Sequence, residues 1–220
     1  MMKYTIKLGC MKLNNYKTIA ESYTGEIIEK KSRFIAYMSP VTTEDAALDF
    51  IGKISKKHWD ATHNVYAYKI RDNNISRCSD DGEPAKTAGA PVLDVIEKEG
   101  LTDIVIVVTR YFGGTLLGTG GLVKAYSGAA KAVISNADIV TMQTSVKFVL
   151  SIPYTFLGKY ENEFIKYGVL ILEKEFSENV DILGVCKEED FTVINKKFSE
   201  ISNGKYLIEP IEKLFYGFKE

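Results

Sequence analysis

The sequence predicts an α+β chain in two domains, and three observations predict it. Up to about Ala137, strand-like and helix-like stretches alternate. From Thr141 onward the order reads strand, helix, two strands, helix, strand, which is the βαββαβ or ferredoxin-like pattern. Helix stop signals at Gly100 and Gly204 close elements in both parts, while the charge balance differs only a little between them, net +2 over 1–140 and net −3 over 141–220. The boundary falls near Asp138–Thr141 without a Pro- or Gly-rich linker. This gives domains 1–138 and 139–220.

Each element has its own signal. "TIAESYTGEIIEKKSRFIAYMSPV" reads as two strands joined at "EKKS", the second being Phe34–Met38 and stopping before Pro40. "TTEDAALDFIGKISKKH" is a helix. Thr42 or Thr43 caps it, acids fill its first turn, and Ala46, Ala47, Phe50, Ile51 and Ile54 share one face. "HNVYAYKI" alternates as a strand. "RDNNISRCSDDGEPAKTAGAP" is a long polar loop that enters the helix "PVLDVIEKEG", with Pro91 near its start and Gly100 past its end. "TDIVIVVTR" is a buried strand, too short and too β-branched for a helix. "GLVKAYSGAAKAVISNA" is a helix rich in small residues that lies close to a sheet, with Leu122, Tyr126, Ala129 and Val133 on one face. The second domain reads as a strand over about Thr141–Ile152 and a helix from Pro153 to Tyr167. A hairpin follows around "SEN". A helix then starts near Asp190 and stops at Asn203-Gly204, and a last strand begins at "KYLIEPI".

The 220 residues, with 26% charged and 45% hydrophobic, describe a soluble globular chain of formal net charge −1. No global basic field holds nucleic acid, so any RNA contact is local. Cys10, Cys78 and Cys186 are far apart, odd in number and without a CxxC pair, which fits a reducing cytoplasm. No apolar run approaches the roughly 20 residues that span a bilayer, so no membrane contact is expected. The N-terminus lacks a signal-peptide core, and Met11 offers an alternative start to Met1.

The stretch "TRYFGGTLLGTGGLVKAY" holds five glycines between a buried strand and a helix. Gly113, Gly114, Gly118, Gly120 and Gly121 make either a tight turn with close helix–sheet packing or an anion contact at a helix start. The spacing fails the strict tests. Thr119 and Gly120 stand where a P-loop needs Lys-Ser/Thr, and no third glycine stands at 123 for a dinucleotide fingerprint. "SDDGEP" supplies Asp80, Asp81 and Glu83, which suit a turn and a salt-bridge loop better than a metal site. His63 is alone and His58 lies among lysines as solvated surface, so neither suggests catalysis. Tyr111 and Phe112 form a stacking platform or a piece of core. No catalytic set, metal site or cofactor is expected.

Taken together, "SRFIAYMSPV", "ATHNVYAYKI", "RCSDDGEPAKTAGAPVL" and "VTRYFGGTLLGTGGLVKAY" resemble the Impact family, in its bacterial YigZ-like branch. Asn64 and Val65 depart from the family pattern of a second His or Asn and a Cys. The resemblance implies a ribosomal-protein-S5 domain-2-like first domain and a ferredoxin-like second domain. Both occur side by side in the translocation elongation factor. It further implies a role in translation or its regulation, since eukaryotic relatives bind a partner of a stress kinase.

Two functions follow. The favoured one is a non-enzymatic cytoplasmic module that docks on RNA, the ribosome or a translation-associated protein. The alternative is an enzyme acting on a phosphorylated small molecule through the Gly-rich and Asp/Glu loops. The candidate binding residues are Arg77, Asp80, Asp81, Glu83, Thr87, Arg110, Tyr111, Phe112, the five glycines and Lys124, with His63 and Tyr66 as further possibilities. The two loops are expected to be neighbours, with Arg77 and Arg110 neutralising the acids. Phosphate would bind between Arg77, Arg110, Lys124 and the amides around Gly118–Gly121.

Overall fold

The run "IVIVV" becomes the central strand of a sheet that is covered on both faces, which is why it shows no alternation. The structure, a computed structural model, describes residues 15–219, the last by its backbone alone. Cys10 and the choice between Met1 and Met11 lie outside the described residues. In chain order the elements are β1 (Tyr16–Ile19), β2 (Tyr23–Glu29), β3 (Ser32–Pro40), α1 (Glu44–Lys57), β4 (His63–Ile70), β5 (Ile75–Ser79), α2 (Gly89–Lys98), β6 (Ile104–Tyr111) and α3 (Gly118–Ser135). They continue as β7 (Ile139–Ile152), α4 (Tyr154–Lys166), β8 (Leu170–Phe176), β9 (Val180–Lys187), α5 (Glu188–Ser202) and β10 (Glu209–Lys219). The chain divides into two units, built on Tyr16–Thr141 and on Met142–Phe218.

The first unit holds an antiparallel sheet of order β2-β3-β6-β4-β5. Ile104, Ile106 and Val108 of β6 face a core shared with Val92, Val95 and Ile96 of α2 and with Leu122, Tyr126, Ala129 and Val133 of α3. Val105 and Val107 face the other way, toward Ala47, Ile51 and Ile54 of α1. The expected apolar faces of α1 and α3 are therefore those buried. Thr43 caps α1 by accepting from the Ala46 N–H, and Gly100 follows α2 with φ +67°.

The structure corrects several boundaries. The polar loop after β4 contains β5, a short edge strand whose "ISRCS" lacks alternation because its exposed side chains pack on little. The stretch before "EKKS" splits into β1 and β2 at Ala20–Ser22. β3 runs through Pro40, which pairs with Ile104. Val41 donates to Asp103 O of the segment leading into β6. Pro40 therefore faces the opposite edge, past the start of β2 at Tyr23, where no N–H is needed. α2 begins at Gly89, so Pro91 sits inside its first turn, where the N–H groups have no helical partner. α3 begins at Gly118 and β10 only at Glu209.

The second unit follows the expected order β7-α4-β8-β9-α5-β10. In its sheet β7, β9 and β8 are successive neighbours, and β10 pairs with β7. Phe148, Tyr160, Phe164, Ile182, Ile194 and Phe198 form its core. Asn203, at φ 53°, and Gly204, at φ 76°, end α5.

One close approach fixes how the first sheet ends. A Cβ on Gly113 would lie 2.0 Å from the Lys31 carbonyl carbon, and the Gly113 N–H donates to Ser32 Oγ at 3.1 Å. The β2–β3 turn thus rests on bare backbone. Gly113→Ala is expected to destabilise the fold by about 3 kcal/mol, since backbone on both sides must shift. Urea unfolding of both proteins checks this.

Candidate functional site

Sequence order explains the acidic loop once α2 is in place. The first N–H groups of a helix need acceptors. Asp80 supplies them, accepting from Ala88 and Gly89 at 3.0 and 2.8 Å, and from the loop N–H of Lys86 at 2.8 Å. Burial pushes its carboxyl up, but the three backbone bonds outweigh this and leave its pKa below the ordinary value. Asp81 accepts from the Asn64 N–H at 2.6 Å, tying the loop to the start of β4. Its backbone is left-handed, φ 45°, and its carbonyl lies 2.6 Å from His63 Nδ1, which makes that nitrogen the donor.

Glu83 goes inside. Its Oε1 accepts from Arg110 at 2.5 Å and from the Tyr126 hydroxyl at 2.8 Å, and His63 Nε2 stands 3.9 Å away. Burial, then the bond to Glu83, drives the Tyr126 phenol far above its ordinary pKa. The Arg110 guanidinium lies 5.5 Å from the ring centroids of both Phe34 and Phe112.

These contacts sort the sequence-predicted residues. The acidic loop and the end of β6 are brought together by Glu83 and Arg110, as expected. Arg110, however, is only 5% exposed, so it cannot be a surface phosphate contact. Its position on β6 points it into the core beside Phe34. Arg77 neutralises none of the three acids. It lies on β5 opposite Tyr68 and donates to Ser76 O. Lys124 is exposed on α3, which covers the other face of the sheet, so Arg77, Arg110 and Lys124 do not share one cleft. Thr87 is buried and donates to Pro84 O, and Tyr66 stacks on Tyr68 at 6.2 Å. Gly114 and Gly118 take left-handed φ of 81° and 71°, Gly120 faces open space, and Gly121 packs on Leu117. Among the described residues no group of three or more His, Cys, Asp or Glu is placed to hold a metal.

The rim of the sheet carries what the sequence left unread. Lys30 and Lys31 form the two-residue turn between β2 and β3 with φ of 44° and 68°. Phe112 beside Gly113 is 46% exposed, and its N–H donates to Thr62 Oγ1 at 3.2 Å. Trp59, after α1, is 84% exposed. His58 is not solvated surface. It is buried between the hydroxyls of Tyr37, 2.7 Å away, and Tyr111, 2.9 Å away. Its run of lysine neighbours concealed this, because the partners come from β3 and β6.

Residues 30–134 match the Impact N-terminal domain, and residues 150–205 match a domain of unknown function (DUF1949). The chain is 42% identical to "IMPACT family member YvyE" of Bacillus subtilis, across 88% of this chain and 89% of that one. It is 34% identical to an "IMPACT family member" of Haemophilus influenzae, across 83% and 90%. "Protein IMPACT" of Bos taurus is 37% identical, across 42% of this chain and 30% of that protein. A solved structure described as that of a hypothetical protein matches with a TM-score of 0.58 and 30% identity, covering 91% of this chain and 98% of that one.

Two substitutions test the site's internal bonds. Asp80→Ala is expected to lower stability at neutral pH by about 2 kcal/mol. A carboxylate whose folded pKa is depressed stabilises above its unfolded pKa, and that contribution fades as pH falls through the folded value. The gap between wild type and variant should therefore close in urea titrations run well below about pH 4. Glu83→Ala strands the buried Arg110 charge and should cost about 3 to 5 kcal/mol in the same assay.

Proposed function

The chain belongs to the Impact family, and we propose that it is a cytoplasmic binding module of translation that docks RNA on the rim of its first sheet. One observation carries this reading. Lys30 and Lys31 occupy, at positive φ, a turn that Asn-Gly would fill without strain, pressed against Gly113 and beside the exposed Phe112. An L-residue other than Gly, Asn or Asp in that conformation costs about 1 kcal/mol or more. Strain of this kind is a reason to look for function. Two ammonium groups at a hairpin tip suit phosphates, and the exposed rings of Phe112 and Trp59 suit unstacked bases. Lys57 stands beside His58 and Trp59 in sequence, its ammonium 3.5 Å from Tyr37 Oη.

This surface replaces the cleft expected from Arg77, Arg110 and Lys124. The enzyme alternative loses its carboxylates: Asp80, Asp81 and Glu83 are each spent on holding the protein together. On the same reading the domains are 1–138 and 139–220, the first S5-domain-2-like and the second ferredoxin-like. The run β10-β7-β9-β8 supports the latter.

Exchanging Lys30-Lys31 for Asn-Gly tests the proposal, because the two expected effects have opposite signs. The fold should gain about 1 to 2 kcal/mol as strain is relieved. Binding of a fluorescein-labelled single-stranded RNA should weaken, and the slope of log K against log salt should flatten by about 1.4, the loss of two phosphate contacts. Unchanged affinity and slope in a stabilised variant would remove the rim from consideration and favour a protein-docking face.

A further inference from the structure

The hydrogen bonds around His58 have only one consistent proton arrangement. Tyr111 donates its single hydroxyl proton to Asp60 Oδ1 at 3.1 Å. It can therefore only accept from His58, and Nδ1 must carry the ring hydrogen. On the other side, Lys57 Nζ reaches Tyr37 Oη at 3.5 Å, and its ammonium lies 4.8 Å from that ring's centroid. Tyr37 then points its own proton at Nε2, 2.7 Å away. The line runs Lys57 to Tyr37 to His58 to Tyr111 to Asp60, from a cation to an anion through a neutral imidazole, each hydroxyl accepting once and donating once.

The surroundings of the ring favour the neutral form. His58 is 9% exposed. Lys57 and Asp60 flank it from its own segment. Tyr37 and Arg33 approach from β3, where Arg33 is held by Glu26 at 2.7 Å, and Tyr111 from β6. Asn64 of β4 donates to the His58 carbonyl at 3.2 Å. Burial first, then Lys57, holds the imidazole below the ordinary histidine range, against the pull of Asp60.

A proton added at Nε2 breaks the line at one place. Tyr37 Oη would then face two donors, Nε2–H and the Lys57 ammonium, while its own proton loses Nε2 as its acceptor. Two positive charges would share one phenol oxygen. The longer contact, that of Lys57, gives way, whereas the Tyr111–Asp60 side needs no change.

We infer that the Tyr37–His58–Tyr111 bridge is a proton-operated latch on the rim, and that protonating His58 frees Lys57 for a bound polyanion. The inference rests on reading the rim as a polyanion surface. It assigns His58 no contact with RNA and makes it a positioning residue. Binding then tightens as pH falls, because the rim gains both a released ammonium and a new charge beneath it.

Trp59, the single tryptophan of the chain, adjoins the latch and reports on it. Its fluorescence and the affinity for labelled poly(U) are followed on the full chain between about pH 8 and 5. The fluorescence should titrate with a midpoint below about 6.5, and binding should tighten through the same midpoint, its salt slope steepening by about 0.7. His58→Gln, whose amide both donates and accepts, should remove both transitions, and Tyr37→Phe should remove the change in salt slope. In the wild type, nitrogen NMR at neutral pH should find the ring hydrogen on Nδ1, and a hydrogen on Nε2 would falsify the latch whether or not the variants fold. Binding that titrates alike in wild type and His58→Gln overturns the latch and leaves the rim standing. No poly(U) binding at any pH overturns the rim, and with it the regulatory role.

Discussion

Three distant parts of the first unit meet at one oxygen. Glu83 Oε1 receives Arg110 from the end of β6 and Tyr126 from the middle of α3, while Glu83 itself anchors the loop before α2. Withdrawing a carboxylate and a guanidinium from water costs several kcal/mol each, and only a close pair with a further donor offsets it. That geometry dictates much else. With Glu83 inside, Asp80 falls at the head of α2 and Asp81 at the head of β4. With Arg110 inside, Tyr111 points to the α1 side of the sheet and Phe112 leaves it at the rim. The exposed groups on that rim are thus placed by a pair that is itself buried.

Much of the fold was legible because its signals are local. Thr43, Gly100 and Asn203-Gly204 mark helix ends by backbone chemistry within one turn, and the small-residue face of α3 announced its close packing. β5 was hidden because an edge strand with exposed side chains need not alternate. The site was legible in its members more than in its roles. "DDGEP" and Arg110 were recognisably partners, but whether an arginine is buried depends on which face of β6 it occupies, which only the register reveals. His58 misleads for the opposite reason. Its sequence neighbours are solvated lysines, whereas its bonding partners, Tyr37 and Tyr111, are 21 and 53 residues away.

On the proposed reading, the first unit separates strength from use. The residues most deeply bonded, Glu83, Arg110, Tyr126 and Asp80, hold elements together. Those that suit a ligand, Lys30, Lys31, Phe112 and Trp59, contribute little packing, and two of them sit in a strained turn. Functional loops are commonly drawn from the less stable end of a structure in this way.

The strand order bears on how the chain is made. β6 lies between β3 and β4, so it separates two hairpins, β2–β3 and β4–β5, that are both synthesised before it. Until β6 leaves the ribosome, β3 and β4 each present an unpaired edge, the kind that joins neighbouring chains. Between the end of β4 at Ile70 and the end of β6 at Tyr111, synthesis at about 5 to 20 residues per second takes about 2 to 8 seconds. Over that interval the nascent chain is a pair of open half-sheets awaiting a single strand. The five consecutive aliphatic residues of β6 close both edges when they arrive.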